Sequence, residues 1–164
     1  MFKNLFQKST QSHPGHIYTP VNGEIIPITE VPDPVFSEKM MGDGIAIIPS
    51  DGRFTAPADG EIVQIPETKH AYGIRTTDNV EILVHIGLET VGLKGQGFKT
   101  HVEVGDTVKM GDLVITCDLE YIKEHAEHII TPVVITNTND LKGNITPKTT
   151  KNAKIKDTVI MTIT

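Results

Sequence analysis

The stretch Lys69-His-Ala-Tyr-Gly-Ile-Arg-Thr-Thr-Asp-Asn-Val-Glu-Ile-Leu-Val-His-Ile-Gly87 reads as two strands joined by a turn at Thr77-Asp78-Asn79. In its second half Val80, Ile82, Val84 and Ile86 alternate with Glu81, Leu83, His85 and Gly87. Successive side chains of a strand point to opposite faces, so the first set is expected to face a core. His85 then stands on the outer face beside the apolar Leu83. Similar short apolar runs, bounded by Gly, Pro, Asn and Asp, recur at 24–28, 44–48, 61–65, 113–116, 133–135 and 158–163. With 14 Gly and 10 Pro as punctuation, they predict an all-β fold, an antiparallel β-sandwich. One short helix is expected over 119–128, with Asp118 as N-cap and Leu119, Ile122 and Ala126 on one stripe. A lesser helical turn is expected over 35–40. The segment Thr19-Pro-Val-Asn-Gly-Glu-Ile-Ile-Pro-Ile28 is echoed by Ala56-Pro-Ala-Asp-Gly-Glu-Ile-Val-Gln-Ile65. The echo fits two related half-motifs, and equally a common way of entering a strand.

Register decides whether two histidines meet. With Asp78 and Asn79 as a two-residue turn, Tyr72 opposes His85 and His70 opposes Gly87. His70 and His85 are then diagonal neighbours on one face, roughly 7–8 Å apart at Cβ. A three-residue turn would put them on opposite faces. A neutral imidazole is a nucleophile near pH 7 and can accept and pass on a phosphoryl group. A second imidazole beside it can donate a hydrogen bond to the phosphoryl oxygens. Two unrelated surface histidines, in a chain holding seven, fit the same spacing.

Composition narrows the classes. The chain of 164 residues has room for one domain with a substantial core, and its net charge of −6 argues against a nucleic-acid binder. The single cysteine, Cys117, cannot close an internal disulfide. No apolar run approaches the ~20 residues of a spanning helix, and the first residues lack the apolar core of a secretory signal. A cytoplasmic location is therefore expected. Residues 1–16 are expected to form a flexible tail ahead of a domain at 17–164. Within that tail Phe2, Leu5 and Phe6 share a helical stripe, and Lys3 and Lys8 can reach anionic headgroups at the inner face of a membrane. A frayed terminus accounts for them equally well.

A set of motifs resembles one family. Val31-Pro-Asp-Pro-Val-Phe-Ser-Glu-Lys39, Gly42-Asp-Gly-Ile-Ala-Ile47, Ala56-Pro-Ala-Asp-Gly60, Glu67-Thr-Lys-His-Ala71 and Val84-His-Ile-Gly87 are similar to the glucose-family IIA domain of the bacterial phosphoenolpyruvate-dependent sugar phosphotransferase system. Leu93-Lys-Gly-Gln-Gly-Phe98, Gly105-Asp-Thr-Val108 and Thr131-Pro-Val-Val134 continue the likeness in the same order. The resemblance implies a phosphotransferase component with a β-sandwich fold and a phosphohistidine intermediate. His85 would take the phosphoryl group from HPr and pass it to a cysteine on the IIB domain of a sugar permease. His70 would stabilise that group, Thr68 would orient His70, and the carbonyl of Gly87 would fix the His85 ring. An apolar docking patch would map onto Phe36, Met40, Met41 and Leu83, with Asp33 and Glu89 attracting a basic HPr surface. Regulation of further partners through the same face is also implied. Pro66 and Gly73 depart from bulkier residues of some relatives, and Glu89 replaces a common aspartate. A free-standing monomer that requires no cofactor is the expectation.

Three other readings compete. Val102-Glu-Val-Gly-Asp-Thr-Val-Lys-Met-Gly-Asp-Leu113 resembles biotin- and lipoyl-carrier domains, but the following Val114-Ile-Thr-Cys-Asp-Leu-Glu120 holds no lysine to modify. A zinc hydrolase needs three protein ligands and an open position, and the H-x-H and H-x-x-x-D signatures are absent. Zinc bridging His70, His85 and a partner carboxylate would be regulatory. A pure binding module would use the same face without chemistry.

Overall fold

In the computed structural model, which describes residues 12–164, the strands are β1 (His16–Tyr18), β2 (Gly23–Pro27), β3 (Asp43–Pro49), β4 (Arg53–Thr55), β5 (Gly60–Gln64), β6 (Ala71–Thr76) and β7 (Glu81–His85). They continue as β8 (Phe98–Thr100), β9 (Thr107–Val108), β10 (Leu113–Cys117), β11 (Thr131–Ile135), β12 (Ile145–Pro147), β13 (Thr150–Ala153) and β14 (Val159–Ile163). Two short helices, α1 (Pro34–Ser37) and α2 (Leu119–His125), interrupt the series. An eight-stranded sheet runs β13-β2-β3-β11-β7-β6-β5-β9, and two three-stranded sheets run β1-β14-β12 and β4-β10-β8. The strand pairs are antiparallel. The expected all-β antiparallel sandwich is what forms.

Alternation explains how the sandwich closes. Ile45, Ile47, Tyr72, Ile74, Ile82, Val84, Val133 and Ile135 point from the large sheet into the main core. There they meet Ile17, Ile160 and Met161 of one small sheet and Phe54, Val114 and Ile115 of the other. Each such side chain, fully withdrawn from water, contributes about 1.5–3 kcal/mol. The buried hydroxyl of Tyr72 donates to the Thr55 carbonyl at 2.6 Å and ties the two layers together. On the opposite face of the large sheet Ala46, Ala71, Leu83 and Val134 form a second, smaller cluster, roofed by Ile28, Val31 and Phe36. The echoed segments at 19–28 and 56–65 enter β2 and β5 alike: a Cβ on Gly23 or Gly60 would lie 2.2 or 2.3 Å from the carbonyl oxygen of the neighbouring strand. Only glycine lets the backbones approach so closely there.

The helices follow their caps. Asp33 accepts from the Val35 amide at 3.0 Å, and Pro34 occupies the first position of α1. Asp118 accepts from the Tyr121 amide at 3.2 Å. The α2 helix ends at His125, three residues before the expected end at 128. Glu127 and His128 instead bond with Leu88, whose amide donates to the His128 carbonyl at 2.8 Å.

One more expectation needs correction. The β6–β7 hairpin pairs Ala71 with His85 and Arg75 with Glu81, so its turn has three residues, 77–79, rather than two. Asn79 takes the left-handed conformation that closes such a turn (φ 62°), and the Thr76 hydroxyl accepts from the Asp78 and Val80 amides. At the amino-terminal side β1 begins at His16, and the Ile163 amide donates to the Gly15 carbonyl at 2.8 Å. Phe2, Lys3, Leu5, Phe6 and Lys8 lie outside the described residues.

Candidate active site

His85 closes β7 on the outer face of the large sheet, half-buried, two residues beyond Leu83. Its ring is fixed from below by its own chain. Gly87 adopts φ 75°, which turns its carbonyl back to the His85 Nδ1 at 2.8 Å. A carbonyl only accepts, so Nδ1 carries the proton and Nε2 is left with its lone pair. The Phe36 ring lies against the imidazole with centroids 5.1 Å apart.

His70 sits just beyond the β6 ladder, where strand alternation no longer dictates its direction. Lys69 before it has left-handed backbone (φ 58°). The His70 ring stands edge-on to that of His85, with centroids 4.9 Å apart and planes at 78°. Thus the pair meets despite the three-residue turn. The Thr68 hydroxyl lies 2.7 Å from His70 Nδ1. With the hydroxyl as donor, His70 keeps its proton on Nε2, the nitrogen that can donate outward.

Electrostatics keep both rings neutral. Burial, and then the neighbouring His85, lower the pKa of His70 to about 4. Burial also lowers that of His85, against the Gly87 carbonyl and the carboxylates of Asp33 and Glu89, which pull it upward. A neutral, oriented nucleophile beside a neutral, oriented donor is therefore present at pH 7.

The expected docking residues divide. Met40 is 71% exposed and Met41 39%. Phe36 and Leu83 are buried, at 4% and 9%, in the small outer cluster. The Phe36 ring backs the His85 imidazole, so the open apolar surface beside the pair comes from Met40 and Met41. Val35 and Val91 are exposed apolar residues that sequence reading missed. Val91 follows the Glu89-Thr90 turn, and nothing distinguishes a lone surface valine from a core one before the fold is known. Among the described residues no group of three or more His, Cys, Asp or Glu is arranged to hold a metal. With both Nδ1 atoms engaged, His70 and His85 offer two Nε2 ligands, short of the four of a closed zinc site.

Comparison with known proteins agrees with this fold. A family model described as the phosphoenolpyruvate-dependent sugar phosphotransferase system, EIIA 1, matches residues 15–141, which puts the sandwich and its histidine pair among phosphotransferase-system proteins. The chain belongs to the EIIA 1 family of that system. It is 52% identical over 148 residues to the glucose-specific EIIA component of Halalkalibacterium halodurans, covering 86% of each chain. It is 56% identical over 121 residues to the glucosamine-specific EIICBA component of Bacillus subtilis, covering 74% of this chain and 19% of that longer protein. The glucose permease IIA of Mycoplasma capricolum superposes with a TM-score of 0.82 at 40% identity, over 89% of this chain and 94% of that one. No helix among the described residues is long and apolar enough to cross a membrane.

Proposed function

We propose that this phosphotransferase-system component carries a phosphoryl group on Nε2 of His85. The group is taken from the phosphohistidine of HPr and delivered to a cysteine of the IIB domain of a glucose-type permease. One observation carries the reading: the Nδ1–H of His85 is committed to the Gly87 carbonyl at 2.8 Å, which leaves Nε2 as the nucleophile. In the first transfer a bond forms between Nε2 and phosphorus while the donor's N–P bond breaks. The His85 ring becomes cationic without moving a proton, and the Gly87 carbonyl, Asp33 and Glu89 favour that charge. In the second transfer the ring returns to neutrality as the cysteine thiolate takes the group. His70 donates from Nε2 to the phosphoryl oxygens, held in that role by Thr68.

Glucose is the proposed sugar because several relatives carry it in their names. Met40, Met41, Val35 and Val91 form the proposed apolar contact with partners, and Asp33 and Glu89 the acidic one. A dianion placed on this face would weaken any further partner that buries the histidines, so regulation through the same surface belongs to the proposal. So does zinc shared between the two Nε2 atoms and ligands from such a partner; phosphoryl carriage itself needs no cofactor. The chain is taken to act as a cytoplasmic monomer, with residues 1–8 as a weak contact to the inner membrane surface. Mass spectrometry at alkaline pH, after incubation with phospho-HPr, tests the central claim. Phosphate on the peptide containing His85 is the expected result; phosphate on another histidine, or on none, defeats it.

A further inference from the structure

We infer that Thr90 is a positioning residue for phosphoryl transfer, setting the His85 ring through the backbone of Ile86 and Gly87. This rests on the reading of His85 as the acceptor. Thr90 is fully buried, at 0% exposed, although polar. Its hydroxyl donates to the Ile86 carbonyl at 2.7 Å. The amide of the same Ile86 donates to the His70 carbonyl, also at 2.7 Å. Ile86 therefore joins the backbone of one histidine to the hydroxyl of Thr90, and it is covalently next to the other histidine.

The methyl half of Thr90 acts on Gly87. A Cβ placed on Gly87 would stand 2.7 Å from Thr90 Cγ2, 2.8 Å from the His128 carbonyl oxygen and 3.5 Å from Ile122 Cγ2. Those three atoms form a socket around the Gly87 Cα. Next along the chain, Leu88 is held by the His128 carbonyl at 2.8 Å. With Ile86 gripped by the Thr90 hydroxyl and Gly87 seated in the socket, the Gly87 carbonyl keeps one direction, toward His85 Nδ1. That bond selects the tautomer with its lone pair on Nε2. Hydrophobic packing alone would be served by valine, which has nearly the same shape; the hydroxyl marks the positioning role. Removing it also leaves a buried carbonyl short of a donor.

The test compares Thr90→Val and Thr90→Ala, which lack the hydroxyl, with Thr90→Ser, which keeps it. Nitrogen-15 NMR of the imidazole nitrogens reports the His85 tautomer directly and needs no phosphoryl donor. It therefore separates failure of this inference from failure of the acceptor assignment. In the native chain and in Thr90→Ser the proton is expected on Nδ1. In folded Thr90→Val and Thr90→Ala the two tautomers are expected to mix. The rate of phosphoryl acceptance at saturating phospho-HPr should fall about tenfold in these two, with the donor concentration at half-maximal rate unchanged. A folded variant without the hydroxyl that keeps both the native tautomer and the native rate overturns the inference. So does a loss of either in Thr90→Ser, where the hydroxyl and the His128 and Ile122 sides of the socket remain; this settles the matter even if the other two variants do not fold.

Discussion

The imidazole of His70 meets that of His85 edge-on, 4.9 Å between ring centres, and each ring has its Nδ1 occupied by a different kind of partner. His85 gives its Nδ1 proton to a carbonyl, while His70 has a hydroxyl at the same position. The difference divides the labour: one Nε2 is left as a lone pair and the other as a donor.

Substituting His85→Ala removes the nucleophile and leaves the sandwich intact, since the ring is only half-buried. No phosphate should be taken from phospho-HPr. Labelling of the variant at the native rate would refute the role of His85.

The variant His70→Gln should still accept phosphate. Delivery should slow by about 10²-fold, the usual cost of losing one oriented donor to a developing anion. The asymmetry has a physical cause. An anionic thiolate attacking a phosphoryl dianion needs more charge stabilisation than a neutral imidazole attacking the same group. Single-turnover kinetics of the two half-reactions separate them, and an equal effect on both would contradict this account.

Stability should depend on pH through His70. Its folded-state pKa, about 4, lies below the 6.5 of an ordinary imidazole. Between these values the unfolded chain holds a proton that the folded chain refuses, so stability rises with pH across the window and is full above its upper edge. With water reaching part of the ring, the contribution at stake is on the order of 1–2 kcal/mol. Urea unfolding from pH 4 to 7.5 should show a steeper slope in the native chain than in His70→Gln. Parallel slopes would remove His70 as the cause.

In Gly87→Ala, a side chain must be accommodated at φ 75° and within 3 Å of Thr90 and His128. A loss of about 1–3 kcal/mol is expected from the backbone conformation and crowding. Phosphoryl acceptance should drop more than stability does, because the displaced carbonyl is the one that orients His85. Denaturant midpoints and acceptance rates measured together check this; unchanged acceptance would detach the carbonyl from the mechanism.

Much of the fold could be read where strands alternate cleanly. The runs containing Ile45, Ile82, Val133 and Ile160 lie in strands and face the main core. The short strands β8, β9, β12 and β13 escaped notice because sequences such as Thr150-Lys-Asn-Ala153 carry no alternating apolar signal; the pairing partner β2 holds β13 in place. The burial of Phe36 and Leu83 was illegible for another reason. Their cluster gathers Ile28, Ala46, Ala71, Leu88 and Val134 from five separate segments, and no local pattern announces it. The histidine pair forms without the two-residue turn that strand register alone demands. The turn holds one residue more than Asp78-Asn79, and the left-handed bend at Lys69 offsets it. Thr90 carried no signal, since its hydroxyl matters only once Gly87 has brought the chain back past it.

The ends of the described chain meet on the side away from the histidines. His16 pairs with Thr162 on neighbouring strands, and Pro14, Gly15 and Ile163 border the same cleft as Asn79 at the hairpin tip. From that tip β7 runs about 17 Å before it reaches His85. Both attachment points of the described chain are therefore remote from the reactive face, which favours tethering, fusion or circular permutation of the unit. A short linker joining Ile163 to Gly15, with new ends cut at the exposed Val104-Gly105 turn, should give a rearranged chain that still presents both imidazoles.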